Sequence, residues 1–177
     1  MLIGLMAVGK TTVGHLVAKR LDWPVTDSDA EIRKQQGRTA REIADAEGTA
    51  ALHELEAAHL LTALGAPGPQ VICAAASTID RERCRLALQS PEALVFWLTA
   101  PPTALAARSS SGAHRPIDPA DAAGILSKQL AARERGLREV ALEAIPTTEM
   151  SPEEIASIVV QAVAMPAARK SRSRSWR

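Results

Sequence analysis

Two rhythms of apolar residues alternate along the chain. Unbroken apolar runs at Met1 to Ile3, Val71 to Ala75 and Leu94 to Thr99 read as strands buried on both faces. Trp23 to Thr26 and Glu143 to Pro146 are shorter strand candidates. Between them the spacing is helical. Val13, Leu16, Val17 and Leu21 form one stripe, Ala30 to Gln36 stops at Gly37, and Thr39 caps a short helix. Thr49 to Leu64 is longer, with Leu52, Leu55, Ala58, Leu61 and Leu64 predicted on one face. GAPGP, from Gly65 to Pro69, is a break. Beyond it come helices over Asp80 to Leu88, from Pro102, over Ala120 to Glu139, and behind a capping box at Ser151, Pro152 and Glu154. The segment Ser109 to Pro119 is rich in Ser, Gly and Pro and reads as an exposed, flexible loop. Strand and helix alternate throughout, which predicts an α/β fold: a parallel sheet covered on both faces, with ligands at the carboxyl ends of its strands.

Composition narrows this picture. At 177 residues the chain holds one full core and has little room for a second domain. It is 46% apolar with one Phe, three Trp and no Tyr, so aliphatic side chains must fill the interior. The net charge of +1 conceals an asymmetry: five of the 21 basic residues (Arg169, Lys170, Arg172, Arg174, Arg177) lie in the tail, leaving 16 against 20 acidic residues before it. A mildly acidic body argues against a nucleic-acid face, and the tail from residue 166 reads as a disordered basic terminus. Cys73 and Cys84 lack metal-ligand spacing and read as small apolar fillers in a reducing compartment. No apolar run reaches the length of a membrane span, and a cytoplasmic location is expected. Met1 falls inside the first strand, leaving it only about five residues long. That points to a true start further upstream, which N-terminal sequencing of the native protein decides.

The chemistry is concentrated near the N-terminus. Gly4 to Thr12 reads GLMAVGKTT, two glycines five positions apart followed by Lys and Thr, between a strand and a helix. In a phosphate-binding loop of this pattern the backbone N–H groups of Ala7, Val8, Gly9, Lys10, Thr11 and Thr12 face the phosphates. Lys10 reaches the outer phosphates, and the Thr11 hydroxyl ligates a phosphate-bound Mg2+. Asp27, Ser28 and Asp29 follow the second strand and emerge at the same sheet edge. One of Asp27 and Asp29 suits a metal, through water, and the other suits an acceptor hydroxyl, although Asp27 and Ser28 are also residue types that cap a helix.

The stretch GLMAVGKTTVGHLVAKRLDWPVTDSDAEI resembles the opening of shikimate kinases. The resemblance continues through GRTAREIADAEGTAALHELE, HRPI and GLREVA, and so covers residues 1 to about 165. Ser28 between the two aspartates favours this branch over gluconate and adenylylsulfate kinases, which usually carry Gly there. The resemblance implies a three-layer P-loop kinase fold with a five-stranded parallel sheet, one domain over 1–165 and a short lid at about 109–119. It also implies Mg2+-dependent transfer of the γ-phosphate of ATP to a hydroxyl of shikimate, a small anionic polyol acid, by a cytoplasmic monomer. Lys10, Asp29 and Arg115 would be catalytic, and Arg108 and Arg115 would join the loop in binding ATP. Asp29, His53, Ala75 and Arg138 would bind substrate, with Arg138 clamping its carboxylate, and Thr11 and Asp27 would hold the metal.

The chain departs from the family pattern at the acceptor end. Ala74 to Ala76 stand where the family has three glycines, and His53 replaces the first substrate arginine. Alanine methyls are expected to obstruct close approach of substrate to the backbone. Histidine is shorter and largely neutral at pH 7 unless a carboxylate raises its pKa. Two other readings therefore stay open, a kinase for a different hydroxylated metabolite and a nucleotide-binding protein that has lost transfer.

Overall fold

A computed structural model describes residues 1–109 and 121–165. The segment expected to form the lid, with Arg115, and the basic tail lie outside the described residues. In chain order the elements are β1 (Leu2–Gly4), α1 (Lys10–Leu21), β2 (Val25–Asp27), α2 (Ser28–Gln36), α3 (Ala40–Glu47), α4 (Thr49–Gly65) and β3 (Val71–Ala75). A 3-10 turn (Ala76–Asp80) follows, then α5 (Glu82–Leu88), β4 (Phe96–Thr99), α6 (Pro102–Ser109), α7 (Ala122–Val140), β5 (Glu143–Pro146) and α8 (Pro152–Ala164).

The five strands form one sheet in the order β2-β3-β1-β4-β5, every pair parallel. Burial on both faces explains why the strands read as continuous apolar runs. The period of two then sorts their side chains. Leu2, Val71, Cys73, Phe96 and Leu98 enter the core beneath α1, α6 and α8. Ile3, Ile72, Ala74, Val95 and Trp97 enter the core beneath α4, α5 and α7. The only Phe is fully buried, and most of the other large buried side chains are Leu and Ile.

Most predicted boundaries coincide with local signals. Thr39 and Ser151 each form a reciprocal capping box, with Glu42 and Glu154 respectively, and Gly37 ends α2 at φ 66°. Two expectations are corrected. Residues 76–80 form a separate 3-10 turn before α5, fixed by the Thr78 hydroxyl donating to the Ala75 carbonyl at 2.7 Å. The buried face of α4 is Leu52, Glu56, Ala57, Leu60 and Ala63, rotated from the predicted stripe. The small Ala57 and Ala63 side chains face inward, while Leu55, Leu61 and Leu64 pack along its flanks.

Helix α1 lies close on the sheet because Gly14 has no side chain: a Cβ there would fall 2.3 Å from the Cys73 sulfur. Replacing Gly14 by Ala is therefore expected to destabilise the fold by about 1–3 kcal/mol, the usual range for overpacking. Denaturant titration measures this, and adding Cys73→Ala should relieve most of the loss. The Cys73 thiol is pushed up to about 12, chiefly by burial and secondarily by Asp27, which fits an inert packing role.

Candidate active site

The strand order places a crevice between β1 and β3. The connection from β1 leaves towards one edge of the sheet and that from β3 towards the other, so their carboxyl ends open onto a topological switch point. Two cavities meet there. Gly4, Leu5 and Met6 line the first, and Met6, Ala7, Gly9, Lys10, Thr11 and Thr12 line the second, so the glycine-rich loop is a wall common to both.

The second cavity, of about 370 Å³, is completed by Asp27, Ser28, Asp29, Arg108 and Ser109. Gly9 takes φ 97° and Ala7 φ 59°, a left-handed conformation rare for a residue with a Cβ. Gly4 is required by space, because a Cβ would meet the Leu98 carbonyl oxygen at 2.4 Å. Gly9 offers no capping side chain to α1, and the first turn holds no acidic residue. The electropositive helix end is thus unopposed by carboxylates of its own turn. The Lys10 ammonium donates to the carbonyls of Gly4 and Leu5, each at 2.9 Å, folding it over the loop.

Asp27 joins loop to sheet edge. Its Oδ2 accepts the Thr11 hydroxyl at 2.7 Å, and its Oδ1 accepts the Asp29 N–H at 3.0 Å, capping α2. The cap and the cleft-facing carboxylate are therefore one residue. Thr11 and Asp27 supply hard oxygen donors side by side, which suits Mg2+, an ion that retains waters and leans on one or two carboxylates plus phosphate oxygens. Among the described residues, no cluster of three His, Cys, Asp or Glu side chains could cage a metal by protein alone. Nearby, burial lowers the pKa of His59, opposed by Glu31 and Asp27, and its ring lies 3.4 Å from the Thr26 hydroxyl.

The first cavity, of about 80 Å³, is lined beyond the loop by Thr49, Leu52, His53, Glu56, Ala75, Ala76, Ser77, Gln129 and Arg133. His53 and Ala75 are thus brought together as expected from sequence. The alanine run needs no positive φ: Ala75 sits at φ −67°, Ala74 is buried in the core, and Ala75 and Ala76 line the cavity. Glu56 is 1% exposed and accepts a hydrogen bond from the Ser77 hydroxyl.

The structure does not bring Arg138 to this cavity. It stacks over the Trp97 ring at 5.4 Å and pairs with Glu134 one turn back. The arginine at the cavity is Arg133, only 11% exposed and held by Asp80 through Nε and Nη2, the latter at 2.6 Å. Its signal was in the helical register. Leu126, Leu130, Arg133, Leu137 and Val140 repeat at intervals of four and three, which puts an arginine where the inward face of α7 calls for an apolar residue. Glu56 carried the same kind of signal on α4. Of the other expected residues, Asp29 and Arg108 line the loop cavity, and Arg108 donates to the hydroxyl and carbonyl of Thr147 at 3.0 and 2.9 Å. The Val8 side chain lines neither cavity and packs in the core.

Comparison with known proteins identifies the family. The family model described as shikimate kinase matches residues 6–164. The chain belongs to the shikimate kinase family. A shikimate kinase of Pseudomonas syringae pv. tomato is 35% identical over 152 residues, covering 85% of this chain and 87% of that protein. One from Cupriavidus pinatubonensis is 34% identical over 92% of this chain and 84% of its own length. Among solved structures, the Acinetobacter baumannii shikimate kinase in complex with shikimate superposes with a TM-score of 0.80 at 26% identity, covering 92% of this chain and 90% of that one. As a shikimate kinase family member the chain has the five-stranded parallel P-loop fold.

Proposed function

We propose that this chain transfers the γ-phosphoryl group of ATP to a hydroxyl of shikimate, giving 3-phosphoshikimate for aromatic amino acid biosynthesis. The observation that carries the proposal is the common wall: one loop, Gly4 to Thr12, lines a phosphate-sized cleft on one side and a small polar cavity holding Arg133 on the other. Such a site works by positioning and charge stabilisation, with little covalent chemistry of its own.

In this reading the α1 N-terminus and the loop amides of Ala7 to Thr12 hold the phosphates. Lys10 leaves the Gly4 and Leu5 carbonyls to follow the phosphoryl group in flight, and Asp29 engages the acceptor hydroxyl. Arg133, preorganised by Asp80, takes the acceptor carboxylate, the role the sequence assigned to Arg138. Arg115 enters as a second cation at the phosphates from its sequence position alone, and Arg108 stands on the nucleotide side. We take residues 1–165 as one kinase domain, acting as a cytoplasmic monomer.

Thr11 and Asp27 would hold Mg2+, Asp27 through water, and the ion would supply neutralisation of charge on the phosphates. Asp27→Asn keeps a good helix cap but loses the charge, so it is expected to raise the magnesium concentration for half-maximal activity about tenfold. Titration of activity with magnesium at fixed ATP reads this, and an unchanged midpoint would remove Asp27 from the metal site.

The proposal as a whole is tested by thermal unfolding with ADP and magnesium present. Adding shikimate should raise the unfolding midpoint further, because a ligand at about 100 times its Kd stabilises by about 2.7 kcal/mol. No further rise at millimolar shikimate contradicts it.

A further inference from the structure

Two polar side chains interrupt the inward stripe of α7 where it passes the acceptor cavity. Gln129 lies three residues after Leu126 and four before Arg133, so it shares a helix face with both, and Gln129 and Arg133 line the cavity together. Leu126 ahead of them is buried, and Leu137 and Val140 beyond them return to the apolar core. The stripe turns polar only where it meets the cavity.

Packing fixes this stretch of α7. The helix lies close to the 3-10 turn because Gly136 has no side chain, and a Cβ there would fall 2.9 Å from Cγ1 of Ile79. Asp80, from the same turn, holds Arg133 by Nε and Nη2, which leaves the Nη1 N–H groups to a ligand. The Gln129 side chain is half-buried and, among the described residues, its amide neither donates nor accepts a hydrogen bond.

The two groups suit different parts of one acceptor. An uncharged amide carries both donors and an acceptor, so it matches a hydroxyl, which likewise gives and takes a hydrogen bond. Arginine has donors only and takes the carboxylate. One helical turn separates the two side chains, about 6 Å along the axis, a span that a single ring bearing a carboxylate and hydroxyls can bridge.

Resting on the reading of the acceptor as shikimate, we propose that Gln129 is a specificity-determining residue of the acceptor site. Its amide hydrogen-bonds a ring hydroxyl other than the one phosphorylated, while Arg133 holds the carboxylate. In that reading Asp29 engages the reacting hydroxyl, so Gln129 serves recognition and takes no part in the transfer itself.

Gln129→Leu keeps the bulk and helix propensity of the side chain and removes the amide. It should raise the KM for shikimate about three- to tenfold, the range for a lost neutral hydrogen bond, with kcat and the KM for ATP changed less than about twofold. The two shikimate analogues that each lack one of the ring hydroxyls left free by the transfer separate recognition from packing. In the native protein one of them should show a KM raised by about the same factor. Gln129→Leu should leave that analogue's KM within about twofold of its native value while raising the KM of the other analogue as it does that of shikimate. The native-protein arm stands whether or not the variant folds. Equal KM values for shikimate and both analogues in the native protein, an unchanged shikimate KM in Gln129→Leu, or an equal rise for all three acceptors overturns the inference while leaving the kinase assignment standing. Absence of shikimate turnover in the native protein, with ADP still bound, overturns the assignment itself and this inference with it.

Discussion

Replacing Arg133 by Gln raises the KM for shikimate about 10- to 100-fold, whereas Arg138→Gln changes it less than about twofold. The first figure is the loss of a hydrogen bond to a charged group, about 1.5–3 kcal/mol, at tenfold per about 1.4 kcal/mol. Arg133 is nearly buried at the acceptor cavity with its guanidinium fixed by Asp80, while Arg138 has a half-exposed side chain over Trp97, paired with Glu134. The partner left behind in the Arg133 variant does not unfold the protein, because the Asp80 side chain is 33% exposed and water can take over its hydrogen bonds. Circular dichroism and the KM for ATP serve as controls. Equal effects at the two positions would return the substrate carboxylate to the outer flank of α7.

Lys10→Met lowers kcat by at least about 10²- to 10³-fold with the fold intact, the range seen when one preorganised donor is removed from a site of developing charge. In the structure the Lys10 ammonium bonds the Gly4 and Leu5 carbonyls at the head of the loop. Methionine keeps the unbranched stem and loses the charge, so helix α1 should form as before. The loss should appear mainly in kcat, because charge builds on the transferred oxygens during the reaction rather than before it. A loss confined to the KM for ATP would make Lys10 a ground-state ligand only.

Local chemistry decided what was legible in the sequence. The capping boxes at Thr39 and Ser151 and the αL stop at Gly37 each depend on residues within a few positions, and they fall where the sequence put them. The strand at Val71–Ala75 was equally plain, and the shorter candidate at Glu143–Pro146 also forms. The loop and Asp27 were legible because strand, loop and helix are consecutive in the chain. What escaped depends on packing between distant segments. Arg133 acquires its meaning from Asp80, 53 residues earlier, and Glu56 from Ser77, 21 residues later. The sequence offered motif spacing around LREVA in place of the inward register of α7, and motif spacing chose the neighbouring arginine. At the alanine run the backbone is extended at Ala75 and asks for no left-handed residue, so what the missing glycines change there is the methyl groups of Ala75 and Ala76 that line the cavity.

The central claim is that a shikimate hydroxyl meets the ATP phosphoryl group across the loop wall. Purified protein supplied with ATP, magnesium and shikimate tests it most directly, by coupled detection of ADP together with mass analysis of the acceptor. ADP release that depends on shikimate, matched mole for mole by a shikimate monophosphate, is the predicted result. ADP release that millimolar shikimate leaves unchanged, in protein shown to bind ATP, would contradict it.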